Sequence, residues 1–189
     1  NIECSITITD TNGGMTTDST TVTIRNSTPS FDVGATISPN TNVVTNTMLT
    51  CTSTVTDPDD GPLTPSYEWN SGGNIVSSTN TYTVNATDVG NTITCTATAT
   101  DSDGEFVTSS DSVTVENTAP ILTNITLSAS TAFNDDSITC TATATDHDEY
   151  LSPTYSWTVN SSIIGTGSAI TLSSSLTMPG DTVLCTATV

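Results

Sequence analysis

The sequence has almost no positive charge. Its 189 residues contain 20 acidic side chains but one basic side chain, Arg25, and no lysine, so the formal net charge is −19. Nucleic-acid binding requires basic groups that neutralise phosphates, and an anionic membrane surface repels a chain of this charge. We therefore exclude nucleic acid as a partner and expect no membrane contact in this segment.

Long apolar runs are also absent. No stretch reaches the roughly 18 to 20 apolar residues that span a bilayer, and the first residues do not have the pattern of a signal peptide. We expect any export signal or anchor to lie outside this segment. The only histidine, His147, stands among acids in a turn sequence, and no serine has a positioned base. We predict that the chain is not an enzyme.

The residues that are abundant favour strands. Only 33% of the residues are hydrophobic, but threonine supplies about a quarter of the chain, and its branched Cβ suits a pleated strand. Runs such as "ITCTATAT" and "DSVTVEN" alternate with a period of two, and no helical periodicity occurs. These patterns predict an all-β protein.

The chain repeats itself with a period of about ninety residues. Cys4, Cys95 and Cys185 open similar segments, and a second series at Cys51 and Cys140 keeps the same period. "PSYEWN" matches "PTYSWTVN", and "NSTP" matches "NTAP", in the same phase. The sequence therefore predicts a tandem array that is part of a longer protein.

Each repeat places a tryptophan between two cysteines: Cys51, Trp69 and Cys95, then Cys140, Trp157 and Cys185. In this order, on short threonine-rich strands, the whole chain resembles the tandem immunoglobulin-like (Ig-like) repeats of microbial extracellular and surface proteins. The resemblance implies tandem Ig-like β-sandwiches with one disulfide between strands B and F of each repeat and both tryptophans in the cores. Ile93 and Val183 replace the tyrosine that antibody domains place two residues before the second cysteine.

The resemblance also implies the domain boundaries. Residues 1–27 would be strands F and G of a truncated repeat, residues 28–118 a complete repeat, and residues 119–189 a repeat truncated after strand F.

In the disulfides that the resemblance implies, Cys51 pairs with Cys95, Cys140 pairs with Cys185, and Cys4 pairs with a cysteine outside this sequence. Free buried thiols are the alternative, whereas zinc is disfavoured because no CxxC pair occurs. Disulfides form in oxidising compartments, so we expect an extracellular or cell-surface protein.

Spaced acids follow three of the five cysteine-led strands, those that begin at Cys51, Cys95 and Cys140. In an Ig-like fold strands B and F end at the pole that receives the linker, so the acids would meet at the junctions between repeats. They are either turn-capping residues or ligands for Ca²⁺, the one cofactor we consider. Arg25 and Glu116 occupy matching positions, and Arg25 would neutralise Asp57 or Asp101, which favours calcium at the second junction. The candidate ligands are Asp146, Asp148, Glu149 and Glu116 there and, less favoured, Asp57, Asp59, Asp101 and Asp103 at the first junction.

Four Asn-X-Ser/Thr sequons are candidate glycosylation sites: Asn85, Asn124, Asn160 and Asn26. For the chain as a whole, the sequence predicts a structural segment of a long extracellular fibre, stalk or surface layer, acting as a rigid spacer. Its partners would be neighbouring repeats and copies of itself in a filament. The alternative is an adhesin or receptor module whose loops bind surface glycans or proteins.

Overall fold

A computed structural model describes residues 1–189, and it is built from strands and turns. The all-β class is confirmed, and no helix is long and apolar enough to cross a membrane. The only helical element is a single 3₁₀ turn, Ala86–Asp88. The strands are β1 (Ile2–Thr9), β2 (Met15–Val22), β3 (Ser30–Ser38), β4 (Met48–Asp57), β5 (Gly61–Leu63), β6 (Ser66–Ser71), β7 (Asn74–Ser77), β8 (Thr81–Thr83), β9 (Thr92–Thr100), β10 (Phe106–Thr114), β11 (Ile121–Leu127), β12 (Ser137–Thr145), β13 (Thr154–Val159), β14 (Ser162–Thr166), β15 (Ala169–Thr171) and β16 (Val183–Thr188).

Residues 28–118, here called the first unit, contain two sheets that enclose one core. One sheet has the order β10-β9-β6-β7, and the other has the order β3-β4-β5 with β8 also paired to β4. Thirteen buried residues fill the space between them. A disulfide from Cys51 on β4 to Cys95 on β9 crosses this core, and Trp69 is fully buried beside it.

Strand β9 shows how a threonine-rich sequence makes a core. Its sequence "TITCTATAT" places Ile93, Cys95, Ala97 and Ala99 on the buried face, while the alternating threonines face outward. Successive side chains of a strand point to opposite faces, so the small apolar residues face the other sheet. The outward threonines retain water contact and the β-branched shape that strands favour.

Residues 119–189, here called the second unit, repeat this plan with less burial. Their sheets have the orders β11-β12-β15 and β14-β13-β16, and a disulfide joins Cys140 to Cys185. The indole N–H of Trp157 donates to the Gly167 carbonyl at 2.8 Å. Only five buried residues form the core cluster, and a cleft of about 530 Å³ opens beside Trp157.

Strands β1 and β2 form a separate hairpin that buries none of its side chains. Cys4 faces Thr20 across this hairpin, just as Cys95 faces Asp111 across the β9–β10 pair, so the two hairpins share one register. Cys4 is exposed and has no disulfide partner among these 189 residues, so its pairing with a cysteine outside this sequence stays a prediction. The repeat phase read from the sequence therefore extends to the pairing of the strands.

Candidate functional site: the junctions between units

The spaced acids lie where strands end and linkers begin. The first junction comprises the linker 25–29 and two loops of the first unit, residues 58–60 after β4 and 101–105 after β9. The second junction comprises the linker 116–120, the loop 146–153 after β12, and the loop 39–47 that precedes β4. Each linker connects two strands, and the loops of its junction supply its hydrogen-bond partners.

At the first junction an aspartate turn holds the linker. Asp57 Oδ1 accepts the backbone N–H groups of Asp59 at 2.7 Å and Asp60 at 2.9 Å, which fixes the turn. Asp59 Oδ2 then accepts the backbone N–H of Ser27 at 2.7 Å. The first acid therefore shapes the loop, and the second binds the linker. We call this arrangement the linker clasp.

The second junction contains the same clasp at the matching positions. Asp146 Oδ1 accepts the N–H of Asp148 at 2.7 Å, and Asp148 Oδ2 accepts the N–H of Thr118 at 2.6 Å. The Thr118 hydroxyl also donates to Asp148 Oδ2 at 2.7 Å. Because one geometry occurs twice in one chain, the linker clasp is a property of the repeated sequence.

Asp148 additionally reaches the first unit. Its Oδ1 accepts a hydrogen bond from the hydroxyl of Thr45, a buried residue in the loop before β4. The Thr45 hydroxyl, the Thr118 hydroxyl and the Thr118 backbone N–H, with a smaller contribution from His147, lower the pKa of Asp148 below its ordinary value. Asp148 therefore connects the second unit to both the linker and the preceding unit as a carboxylate.

The loop after β9 adds further contacts at the first junction. Asn26 Nδ2 donates to Asp101 Oδ2 at 2.9 Å, and the Thr28 hydroxyl donates to Glu105 Oε2 at 2.7 Å. The hydrogen bond from Asn26, and then backbone N–H groups of the same loop including that of Asp103, lower the pKa of Asp101 although burial opposes this. Asp101 therefore stays ionised while it is 7% exposed.

The structure differs from the sequence prediction at Arg25. The predicted partner of Asp57 or Asp101 was the Arg25 guanidinium, but Arg25 is exposed and the neighbouring Asn26 supplies the donor to Asp101. The linker group that contacts Asp101 is therefore the side-chain amide of Asn26 and not the guanidinium of Arg25.

The candidate calcium ligands do not form a ready metal cluster. No group of three or more histidine, cysteine, aspartate or glutamate side chains is arranged to hold an ion. Glu116 and Glu149 are exposed, whereas Asp146 and Asp148 make the clasp hydrogen bonds. Two oxygens at the first junction are nevertheless buried without any hydrogen-bond partner, Asn26 Oδ1 and Asp57 Oδ2.

Comparisons with known proteins find distant structural similarity but no related sequence. No family model matches the sequence, and a search of curated proteins finds no match. Among solved structures, the chain is similar to a "Ca2+-stabilized adhesin" that "helps an Antarctic bacterium reach out and bind ice", with 18% identity and a TM-score of 0.32. The match covers 97% of this chain and 47% of that one. The chain thus spans about half the length of that adhesin.

The four sequons lie in different surroundings. Asn124 and Asn160 are exposed, and Asn85 is exposed with its amide donating to the Tyr82 hydroxyl at 3.0 Å. The Asn26 Nδ2 donates to Asp101 and its Oδ1 is buried, so a glycan on Nδ2 would displace the junction contact.

Several junction residues were missed at the sequence level. Ser27 and Thr118 hold matching places in "NSTP" and "NTAP", and that shared phase was the available signal. Thr45 had no such signal, because its partner Asp148 lies 103 residues away.

Asp88, which lies in the 3₁₀ turn of the first unit and not at a junction, was also missed. It is buried, and it accepts hydrogen bonds from the hydroxyls of Ser71 at 2.6 Å and Tyr82 at 2.8 Å.

Proposed function

We propose that this chain is a structural segment of an extracellular protein, in which tandem Ig-like units act as a rigid, disulfide-stabilised spacer. The observation that carries the proposal is the linker clasp, formed with the same geometry by Asp59 on Ser27 and by Asp148 on Thr118. A linker that is hydrogen-bonded to the unit after it has fewer accessible orientations than a free one. Repetition of the clasp would extend that stiffness along an array.

The disulfides and the charge support the same role. Disulfides favour an oxidising compartment outside the cytoplasm. A net charge of −19 on 189 residues keeps neighbouring molecules apart in solution unless specific contacts join them. In this proposal the chain is not an enzyme, and its partners are adjacent units of the same array and other copies in a filament.

The proposal is tested by changing the clasp that also reaches the preceding unit. An Asp148→Ala variant removes the acceptor of Thr45 and of both Thr118 donors. We expect small-angle X-ray scattering of the full chain to show a broader distribution of distances in this variant, with both units still folded by circular dichroism. Glu68→Ala removes an equal charge at an exposed strand position and should leave the profile unchanged.

A wild-type profile that already requires many inter-unit orientations would contradict the spacer proposal. An identical profile for wild type and Asp148→Ala would show that the clasp does not set the orientation, and the carrying observation would then have no mechanical consequence.

The alternative role, an adhesin or receptor module, is favoured by three exposed aromatic side chains. Phe106 begins β10, Phe133 lies in the loop before β12, and Tyr150 follows the clasp of the second junction, with 63%, 82% and 94% of their surfaces exposed. Exposed aromatics are common anchors in protein recognition. Binding of the wild-type chain to a glycan or protein surface that a Tyr150→Ala variant loses would support this role over the spacer.

A further inference from the structure

We propose that the first junction binds Ca²⁺ through the buried oxygens Asp57 Oδ2 and Asn26 Oδ1. Neither atom has a hydrogen-bond partner, and Asp57 as a whole is only 4% exposed. Native proteins rarely leave a buried polar atom unpaired, and an unpaired carboxylate oxygen carries charge as well as polarity. Both orphan atoms are acceptors, and a cation is the kind of partner that an unpaired carboxylate oxygen and an unpaired amide oxygen can share.

The hydrogen bonds of the junction link these two residues through their neighbours. Asp57 fixes the turn that presents Asp59, and Asp59 binds Ser27, the neighbour of Asn26. Asn26 itself donates to Asp101 in the adjacent loop.

The two loops are also joined directly. The backbone N–H and the hydroxyl of Ser102 donate to the two carboxylate oxygens of Asp60, at 2.8 and 2.9 Å. The linker and both loops are therefore joined by hydrogen bonds at this junction, and they come from three separate parts of the chain.

The protein has no cation of its own for this site. Six acids lie at this junction, one at the end of β4 and five in the two loops, and Arg25, the single basic residue, is exposed to solvent. The other oxygen of Asp57 already accepts two backbone N–H groups. The six acids are Asp57, which ends β4, and the loop residues Asp59, Asp60, Asp101, Asp103 and Glu105.

Oxygen donors of this kind select a hard divalent ion. Ca²⁺ binds carboxylates, asparagine carbonyls, backbone carbonyls and water in a flexible shell of about six to eight oxygens. Because no three acids converge, the asparagine oxygen and water must complete the shell. Mg²⁺ requires a tighter octahedral geometry and gives up its water reluctantly, so we assign the site to Ca²⁺.

The second junction does not offer the same site. The counterpart of Asn26 is Asn117, whose side-chain amide donates to the Thr118 carbonyl, and the counterpart of Asp57 is Asp146, whose Oδ1 accepts the N–H of Asp148. No buried orphan oxygen occurs there. The preference drawn from Glu116 in the sequence is therefore reversed in this proposal.

The test is isothermal titration of the full chain with CaCl₂ after removal of metal by a chelator. Extracellular calcium modules have dissociation constants of about 10⁻⁴ to 10⁻³ M, so the titration extends to about 10 mM. We expect one site per chain that Asp57→Asn weakens at least about tenfold, because the variant removes the charge on the orphan oxygen. Asn26→Ala, a linker variant that leaves the strands unchanged, should weaken the same site and serves if Asp57→Asn does not fold.

The matched control is Asp146→Asn, which occupies the position of Asp57 in the other junction and should bind Ca²⁺ as wild type does. Absence of binding up to about 10 mM would overturn the proposal. Binding lost in Asp146→Asn but kept in both first-junction variants would also overturn it. Because binding is measured directly, either result leaves the spacer proposal to its own scattering test.

Discussion

Removal of the Cys140–Cys185 disulfide should unfold the second unit, whereas removal of the Cys51–Cys95 disulfide should leave the first unit folded. The two bridges close loops of nearly equal length, with sequence separations of 44 and 45 residues. In the chain-entropy model each loop of this size stabilises its unit by about 4 kcal/mol. The entropic loss in Cys51→Ala/Cys95→Ala and in Cys140→Ala/Cys185→Ala is therefore the same.

The cores that must compensate for this loss are unequal. Thirteen buried residues form the cluster of the first unit, against five in the second, where a cleft of about 530 Å³ reaches Trp157. Each fully buried large apolar side chain contributes about 1.5 to 3 kcal/mol. A unit with the smaller cluster has little stability left after a loss of about 4 kcal/mol, because net stabilities of small domains are about 5 to 15 kcal/mol.

Hydrogen–deuterium exchange with peptic digestion measures both units in one sample. In water, Cys140→Ala/Cys185→Ala should lose protection in β12, β13 and β16, while β4, β6 and β9 stay protected. Cys51→Ala/Cys95→Ala should keep both units protected, with a urea midpoint of the first unit lower by about 2 to 4 M for an m-value of about 1 to 2 kcal/mol/M. Cys4→Ala changes an exposed thiol and serves as the control. Retained protection in the second unit after loss of its disulfide would refute the argument from core size.

Two further predictions concern the linkers. Hydrogen bonds lower the pKa of Asp148 in the folded state, so the stabilisation by its carboxylate is present above the ordinary pKa of 3.8 and is lost as the pH falls through the folded-state pKa. Scattering should therefore show loosening of the second junction only below pH 3.8, and Asp148→Asn should show a smaller pH dependence. Trypsin should cut once, after Arg25, because this residue is exposed outside any strand; mass spectrometry that finds an intact chain would show that the linker is shielded.

The sequence was informative where a local pattern determines the result. Alternating threonines predict strands because the period of two depends only on neighbouring residues, and β9 buries its residues with that alternation. The Cys–Trp–Cys order likewise anticipates which strands face each other, since Trp69 and Trp157 are each buried beside a bridge. Both signals lie within one repeat, so a single sequence contains them.

The junctions were less accessible from the sequence. Charge alone suggested that Arg25 pairs with Asp57 or Asp101, but the linker directs Asn26 to Asp101 and leaves Arg25 in solvent. A backbone N–H such as that of Ser27 has no side-chain signature, so the repeated spacing of the acids and linkers does not reveal which donor the second acid binds. Thr45 shows the same limit over a longer range, because only the relative placement of two units brings it to Asp148.

The spacing of the acids follows from the two tasks of the clasp. In Asp-X-Asp the first carboxylate must accept an N–H two residues ahead to close the turn, as Asp57 and Asp146 do. The second carboxylate then points out of the closed turn, where its free oxygens meet the linker. Asp148 needs both oxygens, one for Thr45 and one for Thr118, whereas an asparagine offers one acceptor and an N–H₂ group that faces donors. The acid is thus required at that position by the number of donors that converge on it.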